Sequence, residues 1–213
     1  MVPNHNRKKD YHEFFAQMLL EYALPDELGE LQHQDRPDLL CTEKDIGIEV
    51  TQAMFSNDGD VQGIFEYCKG KLLSEVKPSS IRLLAEKGYR LLFWNDIVVG
   101  YMPIEAIWVS LTPLKKAYEK KIRKLALYPQ HKENNLFIFS PLFRYYEYSN
   151  LQEYIVWLSK MNCDFPQSYS KVYIFDEPVL YICNASSLDI KTYEIPRETI
   201  NLICQAAYEK CQN

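Results

Sequence analysis

Apolar residues recur at helical spacing between residues 8 and 24, where Tyr11, Phe14, Phe15, Met18, Leu19 and Tyr22 share one stripe. Pro25 marks the end of that helix. The polar stretch 25–36 reads as a loop. The period then drops from about 3.6 to 2. Residues 38–42 and 46–53 read as strands, and Glu43-Lys44-Asp45 between them is a turn of hairpin length. In the second strand Ile48 and Val50 point one way and Glu49 and Thr51 the other. After the polar loop Asn57-Asp58-Gly59-Asp60, residues 61–76 read as a helix that Pro78 ends. Residues 89–94 and 97–101 form a second hairpin around Asn95-Asp96, and 105–128 contain a long helix broken near Pro113. Residues 136–139 are an apolar run suited to a central strand. Residues 151–161 are helical, 171–175 and 179–184 are strands flanking Asp176-Glu177-Pro178, and 197–211 close the chain as a helix. This alternation predicts an α/β fold in one domain, 1–213.

Composition narrows the function classes. A net charge of −5 argues against a protein that coats nucleic acid, which would be basic. It leaves room for an enzyme that meets DNA through a local basic patch. The cysteines show no CxxC spacing and the histidines no HxxxH spacing, which argues against a zinc site. The start, MVPNHNRKKDYHE, lacks the apolar run of a signal peptide, and no stretch is long and apolar enough for a membrane span. The expected setting is therefore the cytoplasm, with free thiols and no membrane partner. Tyrosine is abundant, including a Tyr145-Tyr146-Glu147-Tyr148 cluster that reads as packing or loop rather than base stacking.

The segment with chemical content is Arg36-Pro37-Asp38-Leu39-Leu40-Cys41-Thr42-Glu43-Lys44-Asp45-Ile46-Gly47-Ile48-Glu49-Val50-Thr51. One carboxylate opens the first strand of a hairpin, and a second lies inside the neighbouring apolar strand. Strand pairing brings such side chains within several ångström. Glu49, between Ile48 and Val50, is expensive to bury without a partner. Two carboxylates at one point suit a hard cation such as Mg²⁺.

This arrangement resembles the PD-(D/E)XK, or restriction-endonuclease-like, nuclease superfamily. Pro37-Asp38 matches the PD element. Glu49-Val50-Thr51 stands where the family has (D/E)-X-K, eleven residues on from Asp38. The likeness covers residues 8 to about 53, and later elements by their order alone. It implies a central mixed β-sheet flanked by helices, a Mg²⁺ or Mn²⁺ cofactor on Asp38 and Glu49, and hydrolysis of DNA phosphodiester bonds. It also implies a further metal ligand from the first helix, for which Glu13 is preferred over Glu21. Thr51 departs from the pattern, because a hydroxyl cannot supply the positive charge of the family's lysine.

A replacement lysine can be sought by helical face. Leu114, Ala117, Tyr118, Leu125 and Tyr128 form an apolar stripe, and Lys121 falls at its centre while Lys115, Lys116 and Lys120 do not. A lysine there calls for a partner, and Asp38 with Glu49 would be one; Lys124 is the fallback. The stretch 121–128 is also similar in layout to the Gln-x-x-x-Tyr element of RecB-type nucleases. Alternatively, the Lys121 stem lies along the apolar face and its ammonium reaches water. Two functions follow: a metal-dependent DNA nuclease, or a catalytically inactive nuclease-fold protein that binds nucleic acid or protein.

Overall fold

A computed structural model describes residues 5–53, 58–94, 96–104, 111–140 and 148–211. In chain order the elements are α1 (His5–Ala23), α2 (Pro25–Leu28), β1 (Gln32–His33), β2 (Leu39–Cys41), β3 (Ile46–Gln52) and α3 (Asp58–Cys68). A 3₁₀ turn (Leu73–Glu75), α4 (Pro78–Glu86), β4 (Tyr89–Trp94), β5 (Ile97–Pro103) and α5 (Thr112–Leu125) follow. The chain ends with β6 (Glu133–Phe139), α6 (Tyr148–Cys163), β7 (Lys171–Asp176), β8 (Val179–Asn184), β9 (Asp189–Glu194) and α7 (Arg197–Lys210). Where one domain over 1–213 was expected, the chain forms two compact units, one of Met1–Ala53 with Leu114–Asn213 and one of Met54–Pro113.

The first unit is an α/β layer structure built on a mixed sheet of seven described strands, in the order β1-β2-β3-β6-β7-β8-β9. β3, β6 and β7 run parallel, and the outer pairs are antiparallel. Parallel neighbours require crossovers, and α6 lies in the connection between β6 and β7. Ile48 and Val50 of β3, Phe137 of β6 and Phe175 of β7 share a buried cluster with Phe15, Leu19 and Leu20 of α1 and Ile200 and Ile203 of α7. α1 and α7 therefore cover one face of the sheet. Alternation along β3 sends Glu49 to the opposite face, where α5 and α6 pack through Tyr118, Tyr154 and Trp157. The second unit holds its own core, Val61, Phe65 and Cys68 of α3 against Leu84 of α4 and Tyr89, Leu91 and Val98 of the β4–β5 hairpin.

Several elements differ from the sequence expectation for physical reasons. Pro78 opens a helix instead of closing one, because the first helical turn does not need the amide that proline lacks. α3 stops at Cys68, and Gly70 follows with φ +77°, a conformation in which the helix cannot continue. β9 pairs with β8 although its side chains are exposed or half-buried, so its hydrophobic pattern is weak. Loop 25–36 contains α2 and the two-residue β1. The helix expected across 105–128 is α5, and 105–110 lie outside the described residues, as do Asn57, Asn95 and Tyr145 to Glu147. No helix among the described residues is long and apolar enough to cross a membrane.

Candidate active site

The β2–β3 register pairs Leu39 with Ile48, so the next step outward sets Asp38 against Glu49. β2 is short, and Asp38 takes over where its ladder ends: Oδ2 accepts the Val50 amide at 2.7 Å. That bond fixes one carboxylate oxygen by the backbone of the strand that carries the other acid. Both acids are buried, Asp38 at 2% and Glu49 at 3% exposure.

Gly47 shares the Glu49 face and lets this corner close. A Cβ there would stand 2.9 Å from Pro37 Cγ and 2.6 Å from His131 Cδ2. His131 in turn is held by Asp45 in the hairpin turn, with Nδ1 2.8 Å from Oδ1. The His131 hydrogen bond, with the Lys132 amide, holds the Asp45 carboxyl below its ordinary pKa. The proline ring that precedes Asp38 is thereby wedged against β3.

Lys121 comes from α5 across the Glu49 face. Its Nζ donates to Glu49 Oε2 at 2.6 Å and to Asp38 Oδ2 at 3.3 Å. The lysine side chain is 15% exposed. Burial alone would lower its pKa, but the charges of Asp38 and Glu49 and their hydrogen bonds outweigh it and hold the ammonium above the ordinary lysine value. The lysine is therefore protonated at neutral pH. Leu114, Ala117, Tyr118 and Leu125 are buried as the stripe required, and Ile122 joins them, whereas Tyr128 is half-buried and lies past the end of α5.

The other expected residues fall elsewhere. Thr51 follows Glu49 by two on β3, is half-buried, and stands in register with Ile138. Lys124 is exposed on α5. Glu13 is buried, but α1 packs on the Ile48 face, away from Glu49, and Glu13 pairs there with His33. His33 stands opposite Leu39 in the register, which places it on that same face. Among the described residues no group of three or more His, Cys, Asp or Glu side chains is placed to hold a metal. The Glu13, Asp38 and Glu49 set is thus not assembled, because the sheet separates its members.

Sequence reasoning missed the Val50 amide, for which the hairpin register is a signal. Comparison with known protein families, curated proteins and solved structures found no match to this chain.

Asp38 and Glu49 supply oxygen donors of the kind hard divalent ions take, and Mg²⁺ is ordinarily bound by one or two carboxylates with water completing its shell. With Lys121 the three groups carry a formal charge of −1, which a divalent ion would turn to +1. The donor chemistry fits Mg²⁺ or Mn²⁺ on the two acids.

Proposed function

We propose that this chain is a metal-dependent nuclease that hydrolyses DNA phosphodiester bonds. Asp38 and Glu49 serve as metal ligands, and Lys121 serves in place of the lysine that Thr51 replaces. The observation that carries this reading is the Lys121 ammonium, 2.6 Å from Glu49 and 3.3 Å from Asp38. The fold supports it: a hairpin with the two acids joins parallel strands in a mixed, helix-flanked sheet, as in restriction-endonuclease-like cores.

Asp38 and Glu49 would hold a divalent ion, which when bound would supply an activated water and polarise the phosphoryl oxygens. The chain's own groups do the rest. The Val50 amide holds Asp38 in place. Lys121 brings a fixed positive charge to the point where negative charge develops on the phosphate, in a site shielded from water. The Thr51 hydroxyl lies on the same face and offers polarity without charge.

The test is incubation with supercoiled, linear duplex and single-stranded DNA in Mg²⁺ or Mn²⁺. The wild type should cleave at least one form. Asp38→Ala should abolish cleavage, and Lys121→Met should slow it by about a hundredfold or more. Absence of cleavage of every form with both ions would refute the proposal. One observation favours a second reading: the ammonium already bridges both acids. The triad would then be a self-neutralised ion cluster in a nuclease fold that binds nucleic acid or protein. In that case calorimetry finds no Mn²⁺ binding at millimolar metal.

A further inference from the structure

Within the second unit, α3 and α4 leave an open groove between them. Asp60, Gly63, Ile64 and Tyr67 line it from α3, and Leu83 and Lys87 from the α4 side. The four α3 residues recur at helical spacing and form one face of that helix. The groove measures about 820 Å³, within the range of about 300–1,000 Å³ common for ligand sites. Its floor is apolar: Ile64 packs on the core of the unit, and Leu83 is 45% exposed. A Cβ added at Gly63 would meet nothing within 4 Å, so the α3 wall is open there. Lys87 closes one end, with Nζ 2.9 Å from Asp60 Oδ2. Tyr67, 46% exposed, stands at the other end, two helical turns along α3 and so about 10 Å away.

Tyr67 gathers two cations. Lys71 Nζ lies over its ring, 3.4 Å from the centroid, and Lys77 Nζ is 5.6 Å from the same centroid. Among the described residues neither lysine has a carboxylate within ion-pair distance. Two like charges held at one ring repel, and an anion between them relieves that repulsion. Lysine ammoniums are compact charges that suit phosphate. An exposed aromatic ring beside an apolar floor suits a flat body, and nucleic-acid bases stack on aromatic side chains whatever their identity. The far end of the groove has the opposite character. Asp60 is held by Lys87 there, and Glu86 by Arg82 at 3.9 Å. A chain with anions along its whole length, such as an acidic peptide, would meet those carboxylates. A nucleotide leaves its phosphate at the lysines and puts only its base inside.

We propose that the α3–α4 groove binds an unpaired nucleotide of a nucleic-acid strand, with the phosphate at Lys71 and Lys77 and the base against Tyr67, Ile64 and Leu83. Bases inside a duplex are paired and stacked and cannot enter without being unstacked, so the groove selects single-stranded segments. This inference is independent of the reading of Asp38 and Glu49, since it needs neither a metal nor cleavage.

The test is fluorescence anisotropy of a labelled single-stranded oligonucleotide with the full chain, at low salt and in EDTA so that no cleavage intervenes. Gly63→Leu fills the groove from its open wall, and leucine is a better helix former than glycine, so Tm should not fall. Strand binding should weaken at least about fivefold, the lower range for losing one stacked base, while binding of a blunt-ended duplex stays as it is. Leu83→Glu, an exposed change on the opposite wall, is the second variant and should act alike. Changing both Lys71 and Lys77 to Gln should weaken strand binding and flatten its log–log salt dependence by roughly one. No strand binding by wild type overturns the proposal. So does strand binding unchanged in Gly63→Leu and Leu83→Glu, even where the lysine change weakens it, because the lysines are then an ordinary basic surface. Equal loss for strand and duplex overturns it, as does displacement by polyglutamate as effective as by unlabelled strand. If the groove variants weaken strand binding in a chain that cleaves no DNA with Mg²⁺ or Mn²⁺, this inference stands and the nuclease reading falls. If the chain cleaves DNA but the groove variants bind strand as wild type does, the nuclease reading stands and this inference falls.

Discussion

Replacing Lys121 with Met removes one charge and keeps most of the stem. Distances of 2.6 and 3.3 Å correspond to attractions of about 6 and about 5 kcal/mol at an effective dielectric of about 20. Desolvation of each buried ion offsets several kcal/mol of this. The variant, however, leaves two buried carboxylates facing one another without the cation that joined them. Breaking such a pair costs about 3–5 kcal/mol. For a chain of this size that is a fall in Tm of roughly 6–20 °C. The assay is thermal unfolding of metal-free protein at neutral pH, repeated with Mn²⁺. In the variant no ammonium competes for the carboxylates, so Mn²⁺ should raise Tm more than in wild type. At a hundredfold excess over Kd it should restore about 2.7 kcal/mol.

The pH dependence carries a sign. The Lys121 pKa is raised in the folded chain. Its stabilisation is therefore fully present below the ordinary lysine pKa of about 10.4 and is lost as pH rises through the higher folded value. The lysine's own contribution to the gap between wild type and variant should stay level through neutral pH and be lost only in strong alkali. A gap below about 1 kcal/mol at neutral pH, within the range of an exposed ion pair, would refute the reasoning. It would mean that the ammonium does not hold the acids.

Three further outcomes are expected. Gly47→Ala forces a Cβ against Pro37 and His131; it should cost about 1–3 kcal/mol in urea unfolding and depress DNA cleavage by shifting Asp38. Glu13→Gln weakens the pairing with His33 on the α1 face, so it should lower Tm while calorimetry shows Mn²⁺ affinity unchanged. Lys116 and Lys120 are exposed on α5, and changing both to Glu should weaken DNA binding for all sequences alike and flatten its log–log salt dependence by roughly two.

Where one face of an element is buried and the other carries chemistry, its sequence was legible. The period change at residue 38 marks the β2–β3 hairpin, and alternation along β3 separates Ile48 and Val50 from Glu49. The central strand β6 announces itself by Leu136 to Phe139. Elements held by pairing or capping rather than by apolar pattern were not legible. β9 hydrogen-bonds to β8 with half-exposed side chains, and α4 begins at a proline that sequence reading takes for a stop. Glu13 shows the limit of spacing arguments. Its distance along the chain from Asp38 suits a ligand, but the side of the sheet on which α1 packs decides its partner, and that depends on the whole fold.

Lys121 lies 72 residues from Glu49 and was still identifiable, and the reason is electrostatic. A carboxylate within an apolar strand and a lysine within an apolar stripe are each costly alone. Each therefore calls for a charge of the opposite sign, and chain distance does not enter that requirement. The nuclease pattern that the sequence resembles places the ammonium two residues along the strand from the acid, where this chain has Thr51. A helix crossing the same face of the sheet can deliver a flexible ammonium to the same point. α5 does so with its stripe of Leu114, Ala117, Tyr118, Ile122 and Leu125 buried and the Lys121 side chain 15% exposed. Lys121 sets its positive charge 2.6 Å from Glu49 and 3.3 Å from Asp38. A strand lysine restored by Thr51→Lys should accordingly rescue part of the stability lost in Lys121→Met. Failure of that double variant to recover any Tm would show that the position of the cation, and not its charge alone, is fixed by α5.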